Sequence, residues 1–372
     1  MQAARLAGLL CLIVPASATG TQWAEAAPRL AWSIAEEARG VPAADADSVY
    51  FLTHRHELVA AEIGTGRVRW RVSVDSTSPT FGSRVLVHGD VVAAGDYDIL
   101  GFDRRTGRRL WQFSPTDGGG GGMHLGASAG EAAFSGSLAG SMHAIDLTTG
   151  RPRWRVPIGD PAVTTVYEPV ASRDVVAATF TDFGAVPAAG VVVAEIETGR
   201  VRWRAVVPGS IGASGDPVFA ADQVIVPSRD GTIHTFDAAT GEARHVWPGI
   251  ERLADQQDFR PLAVAGPLVI AGSLSGEVVA HEAASGRVVW RRAPTIASVA
   301  FDMVAQDGVV FVPYFSNQIV ALRARDGLEL WRIGGGASQL RWVPYVDGPR
   351  VFASGSLSFS FFRRVSPPPG RR

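Results

Sequence analysis

The stretch TGRVRW runs from Thr65 to Trp70, and the same six residues recur at Thr198 to Trp203. Each copy belongs to a longer template: an apolar strand, a two-residue turn ending in glycine, then a strand carrying tryptophan. Seven segments follow it, including VAAEIGTGRVRW, HAIDLTTGRPRW and VAHEAASGRVVW. The turn glycines are Gly66, Gly107, Gly150, Gly199, Gly241, Gly286 and Gly327, separated by 41, 43, 49, 42, 45 and 41 residues. Four residues after the glycine stands a tryptophan in six copies, Trp70, Trp111, Trp154, Trp203, Trp290 and Trp331; the fifth copy has His245 there and Trp247 two residues later. A period in the forties with strand-like alternation is the mark of a β-propeller, in which each four-stranded blade buries its faces against its neighbours. Glycine suits the turn because it accepts positive φ. The tryptophans, repeated six times, are read as wedges between blades and not as catalytic groups.

An acid stands four residues before the turn glycine in six of the seven copies (Glu62, Asp103, Asp146, Glu195, Asp237, Glu282), and arginine follows the glycine in five. This pattern predicts cross-turn pairs or acid-to-backbone hydrogen bonds in the scaffold. A second series of turns, from Ala44–Ser48 to Val346–Pro349, has eight members. The eighth is followed by two more strands but no tryptophan strand, whereas RLAWSI (Arg29 to Ile34) resembles a tryptophan strand without a blade. The expected fold is therefore an all-β, eight-bladed propeller of four-stranded antiparallel blades. Its ring is closed by the N-terminal strand pairing with the C-terminal blade, with Trp32 as that blade's wedge. Seven blades is the alternative.

The chain has 372 residues with a formal net charge of −1, which argues against a general electrostatic grip on nucleic acid. All 35 basic residues are arginine, so no lysine is available for a Schiff base. The first residues read as a signal peptide: Arg5, an apolar stretch from Leu6 to Ala16, and a small-x-small cleavage site at Ala16-Ser17-Ala18. That stretch is too short to span a membrane, and no other transmembrane segment is expected. The only cysteine, Cys11, lies inside it behind Leu10, so no lipid anchor is expected; the mature chain offers no thiolate or disulfide. The expected division is 1–18 signal peptide, 19–28 linker, 29–366 one propeller domain and 367–372 a disordered tail, in a periplasmic or secreted monomer.

The pattern in HAIDLTTGRPRW and HTFDAATG resembles the repeat of the pyrroloquinoline-quinone-type propeller family, and the likeness extends over almost all of the mature chain. One branch of that family, the quinoprotein dehydrogenases, would imply a quinone over the ring axis, a calcium ion, a catalytic aspartate and usually a vicinal cysteine pair. The mature chain has no cysteine and shows no motif matching the calcium ligands, so no quinone or other cofactor is expected. The other branch, similar to the outer-membrane-protein assembly lipoprotein, implies a non-catalytic scaffold for protein partners in the cell envelope. That is the expected function. The alternatives are a quinone- or metal-dependent oxidoreductase and a carbohydrate-binding surface module.

Binding residues are sought in the loops between second and third strands and between blades, where the repeats disagree. His54 and His56 would share one face if their segment were a strand, which could supply half of a metal site; a solvated loop is the competing reading. Asp96 and Asp98 have calcium-like spacing without the glycine and distal glutamate of a calcium loop. The run DGGGGGM (Asp117 to Met123) lacks the strand-to-helix context of a phosphate cradle and reads as a linker. Asp255 and Gln256 lie in the longest inter-blade connection, and Tyr314 and Phe315 suggest an apolar anchor at a loop tip.

Overall fold

The computed structural model describes residues 27–36, 38–74, 84–95, 97–115, 122–207, 215–248, 261–293, 299, 302–314, 318–334, 344–348, 350–354 and 359–363. Their strands form eight antiparallel sheets in a ring, each built from successive strands except the last. Blade one runs from Ala38 to Ser73, blade two from Val85 to Phe113, blade three from Met123 to Pro157 and blade four from Thr164 to Val206. Blade five runs from Val218 to Trp247, blade six from Leu262 to Arg292 and blade seven from Val304 to Gly334. Blade eight joins Tyr345–Asp347, Arg350–Ser354 and Phe359–Arg363 to the N-terminal strand Arg29–Ile34.

That closure follows the expected pairing, antiparallel from Arg29 opposite Arg363 to Ile34 opposite Phe359. Trp32 packs 5.4 Å from the Phe361 ring, which stacks on Phe352 at 4.8 Å. The N-terminal strand thus covers an edge that would otherwise expose unpaired backbone.

The blades are locked by one recurring contact. Trp32, Trp70, Trp111, Trp154, Trp203 and Trp290 each lie over the turn glycine of the next blade, at Gly66, Gly107, Gly150, Gly199, Gly241 and Gly327. Each indole N–H donates to the carbonyl three residues before that glycine, at 2.7–3.1 Å. Glycine is required there twice over. At Gly150, φ is +71° and an added Cβ would come within 2.6 Å of the Trp111 ring. Trp331 is buried against the eighth blade's Val346 and Val351.

The turn itself differs from the expected tight turn. Glu62 N–H donates to Arg67 C=O at 2.9 Å and Gly66 N–H to Glu62 C=O at 2.8 Å, which closes a four-residue loop. The turn acids divide by length. Aspartates cap the loop backbone: Asp146 Oδ1 accepts from Thr148 N at 3.1 Å and Thr149 N at 2.9 Å. Asp146 also accepts from the Thr149 hydroxyl at 2.9 Å, whereas the longer Glu62 accepts from the Thr65 hydroxyl at 2.6 Å and reaches the arginine after the glycine, Arg67 at 3.6 Å. Exposed pairs of this kind stabilise by at most about 1 kcal/mol.

Blade four departs from four strands. Its innermost strand is split into Thr164–Val166 and Val170–Ser172, both pairing with Val175–Asp182. Pro169 has no N–H to offer a ladder. The intervening Tyr167–Pro169 leans on blade three, where Ala127 N–H donates to Pro169 C=O at 2.7 Å. Gly126 and Gly136 make room: a Cβ on either would lie 2.2 Å from a carbonyl oxygen of this segment.

Candidate functional site

The innermost strands begin on the face that carries the inter-blade connections, and there they bring charge together at the axis. Arg84 stands just before the first strand of blade two and forms an isolated parallel bridge with Val41 of blade one. Its Nη2 donates to Asp302 Oδ2 at 3.4 Å and lies 3.5 Å from Asp216 Oδ2. These aspartates precede the first strands of blades seven and five, so one guanidinium reaches across the ring. His124, in the first strand of blade three, sits 3.5 Å from Glu168 Oε1, and Glu168 occupies the break in blade four. Tyr167 flanks the imidazole, with ring centroids 5.9 Å apart. The split strand and the two glycines beneath it are thus what aim Glu168 at the axis.

Three carboxyls face one guanidinium and one imidazole, and their protonation reflects the imbalance. Burial, together with the charges of Glu168 and Asp302, pushes the Asp216 carboxyl well above its ordinary value despite Arg84. Asp302 is raised by burial too, with Glu168 opposing the relief from Arg84. Glu168 goes the other way: burial alone would raise it, but His124 and Arg84 hold it below the ordinary range. Burial favours a neutral Arg84, and Asp302, Asp216 and Glu168 more than offset this, so it stays charged. Chemically the cluster is a set of mutually paired ions with a net excess of acid.

The residues singled out from sequence are scattered by comparison. His54 and His56 occupy a tight turn of blade one, not a strand, so the shared face does not form. His56 adopts φ +58°, with Nδ1 3.4 Å from Arg39 Nη2. Asp98 accepts from Gln112 Nε2. Asp96, Asp255, Gln256 and Phe315 lie outside the described residues, as do the proposed leader and tail. Tyr314 corrects the expectation of a loop-tip anchor. It ends the strand Val309–Tyr314, pairs with Gln318, and is only 2% exposed because Val299 and Met303 close over it. Among the described residues no group of three or more His, Cys, Asp or Glu is placed to hold a metal ion.

The axial cluster was not anticipated, though a signal for it exists. Arg84, Glu168, Asp216 and Asp302 each stand five residues before the first positive-φ residue of the first hairpin turn in their blade (Gly89, Arg173, Ala221, Asp307). His124 stands six before Gly130, and the extra residue is taken up by a bulge between Leu125 and Ser128. Aligning the repeats on that turn, instead of on the glycine and tryptophan, superimposes the charges.

The family model described as outer membrane protein assembly factor BamB matches residues 16–190, 169–300 and 275–357. The chain belongs to this family. BamB of Bordetella pertussis is 27% identical over 209 residues, covering 53% of this chain and 48% of that protein. BamB of Yersinia pestis is 24% identical over 218 residues, covering 55% and 54%. The chain thus aligns with about half the length of these relatives. Among solved structures, BamB from Moraxella catarrhalis superimposes with a TM-score of 0.67 at 16% identity, over 91% of this chain and 98% of that one. The quinohemoprotein alcohol dehydrogenase of Comamonas testosteroni gives 0.68 at 14%, over 92% and 78%. Likeness at these identities shows the eight-bladed fold alone.

Proposed function

We propose that this BamB-family propeller is an exported, non-catalytic scaffold that binds protein partners during outer-membrane protein assembly. The observation that carries this reading is the family match, which runs from residue 16 to 357 and so takes in all of the ring but its strand Phe359–Arg363. The site chemistry agrees with it. At the axial mouth the charged groups are partnered with one another, not poised as a nucleophile and base. A pyrroloquinoline quinone is itself a tricarboxylate, so a mouth holding Glu168, Asp216 and Asp302 against Arg84 opposes it electrostatically. The leader up to Ala18 supports export to the periplasm, and Leu10 ahead of Cys11 supports a form without a lipid anchor.

The test is a deletion strain of the native host. The expected result is a lowered content of outer-membrane β-barrel proteins, restored by the full-length gene. The mature protein recovered from the periplasm should begin near residue 19 and cross-link to a component of the barrel-assembly machinery. Unchanged barrel content, together with dye-linked alcohol oxidation by the purified protein given quinone and calcium, would replace the scaffold by an oxidoreductase.

A further inference from the structure

We propose that the joint between blades five and six is an acid-sensitive latch, in which protonation of His281 unseats Trp247 and lets these two blades part. Three departures from the repeat meet at this one joint. The wedge comes two residues late on its strand, as Trp247, and its indole meets Gly286 through the Cδ1–Nε1 edge where the other wedges present the fused-ring side. The carbonyl that should accept its N–H, on Ala283, is taken by Gln223 Nε2 at 2.8 Å. His281 stacks on the indole, with centroids 5.4 Å apart and 20° between planes.

Neither polar residue belongs to the repeat. His281 directly precedes the turn acid of blade six, where the other blades place Ala61, Phe102, Ile145, Ala194, Phe236 and Leu322. Gln223 stands opposite the turn acid Asp237, where blades two, four and seven have Val91, Val175 and Val309. Trp247, His281 and Gln223 are at most 2% exposed. Trp247 Nε1, His281 Nε2 and Gln223 Oε1 are nevertheless without a hydrogen-bond partner among the described residues. Uncompensated burial of this kind is destabilising, and every other wedge with a turn glycine ahead of it has its N–H bonded.

Among the described residues, the imidazole is held on one side only. Its Nδ1 lies 3.0 Å from Gly286 C=O, which fixes the proton on Nδ1 and leaves Nε2 as a buried lone pair. A second proton on Nε2 would place a cation between blades. The charged groups near it do not compensate: Arg291 from its own blade repels it, Glu282 is engaged with Ser285 and Arg287 in the exposed turn, and the facing strand contributes His245, two residues before Trp247. Burial, with Arg291, therefore depresses the His281 pKa in the closed joint below 6.5, its ordinary value. A depressed folded value means stability that is present above pH 6.5 and drains away as pH falls toward the closed-joint value.

Hydrogen–deuterium exchange of the intact mature protein tests the latch. With rates corrected for intrinsic exchange, opening of Ala243–Trp247 and Val278–Glu282 should rise severalfold from pH 7.5 to pH 5.0, up to the roughly thirtyfold ceiling of one-proton linkage. The corresponding strands of blades one and two should stay protected. His281→Phe, which installs the residue found at Phe102 and Phe236, should remove the pH dependence; His281→Leu, which copies Leu322 of blade seven, gives the same reading should the phenylalanine not fit. A rise that persists in both variants, or one spread evenly over all joints, overturns the proposal.

Discussion

The two ends of the ring solve different problems with the same strands. At the turn end, seven loops repeat one arrangement, in which a glycine at positive φ receives an indole, and six of the seven loops begin at an acid. At the connection end the blades differ: among the described residues blade two gives the axis a guanidinium, blade three an imidazole, and blades four, five and seven carboxyls. Repetition at one end makes the ring rigid, so variation at the other can be tolerated. A change at the turn end should therefore register in stability with little pH dependence, and a change at the axis should register through pH.

The largest effect is expected at the turn end. Gly150→Ala forces an alanine into φ +71° and pushes its Cβ to 2.6 Å from Trp111. The left-handed backbone costs about 1–2 kcal/mol and the displaced ring about as much again. Denaturant unfolding should show a loss of about 2–4 kcal/mol, nearly constant between pH 5 and 8. A loss below about 1 kcal/mol would mean that the indole–glycine contact does not lock the joint.

Arg84→Met is the matching break at the axis. It leaves Asp216 and Asp302 facing each other without a counter-charge, and removing one partner of a largely buried set costs several kcal/mol at the upper end. With 22–32% of these aspartate side chains exposed, about 2 kcal/mol at pH 7 is expected. The sign follows from their raised values. A carboxyl that binds its proton more tightly folded than unfolded loses stability as pH rises above 3.8, its unfolded value. The variant's deficit should thus shrink as pH falls toward 4 and both acids become neutral. A deficit independent of pH would assign Arg84 a packing role alone.

This division also decides what could be read from the sequence. The blade count and the closure by Arg29–Ile34 were legible because each blade needs the same glycine and wedge at the same spacing, and a missing member points to its replacement. The axial cluster was not, because the inter-blade connections differ in length and blur any alignment made on Gly66 or Trp70. Its members are separated by up to the 218 residues between Arg84 and Asp302. Tyr314 misled for a related reason: its strand runs farther than the turn spacing implies, and an apolar residue near a turn is as well explained by burial as by exposure. The late Trp247 was visible as an irregularity, but its meaning needed Gln223 and His281 to be seen at the same joint.

The smallest effect separates the two kinds of turn acid. Arg153 Nη2 donates to Asp146 Oδ2 at 2.7 Å, and this bond, with help from Thr149, holds the Asp146 carboxyl down at about 2. Arg153→Gln removes the charge but leaves Asp146 Oδ1 capping Thr148 N and Thr149 N. The pair is partly exposed, at 20% and 30% for the two side chains, so its loss should destabilise by less than about 1 kcal/mol. Because the folded value is depressed, that contribution is present above pH 3.8 and vanishes as pH falls through about 2. Wild-type and variant unfolding curves should therefore differ slightly at pH 6 and converge in acid, with added salt narrowing the gap at pH 6. If the gap instead stays constant down to pH 2, Arg153 stabilises through the packing of its stem and not its charge, and the turn end would owe its rigidity to the glycine and indole alone.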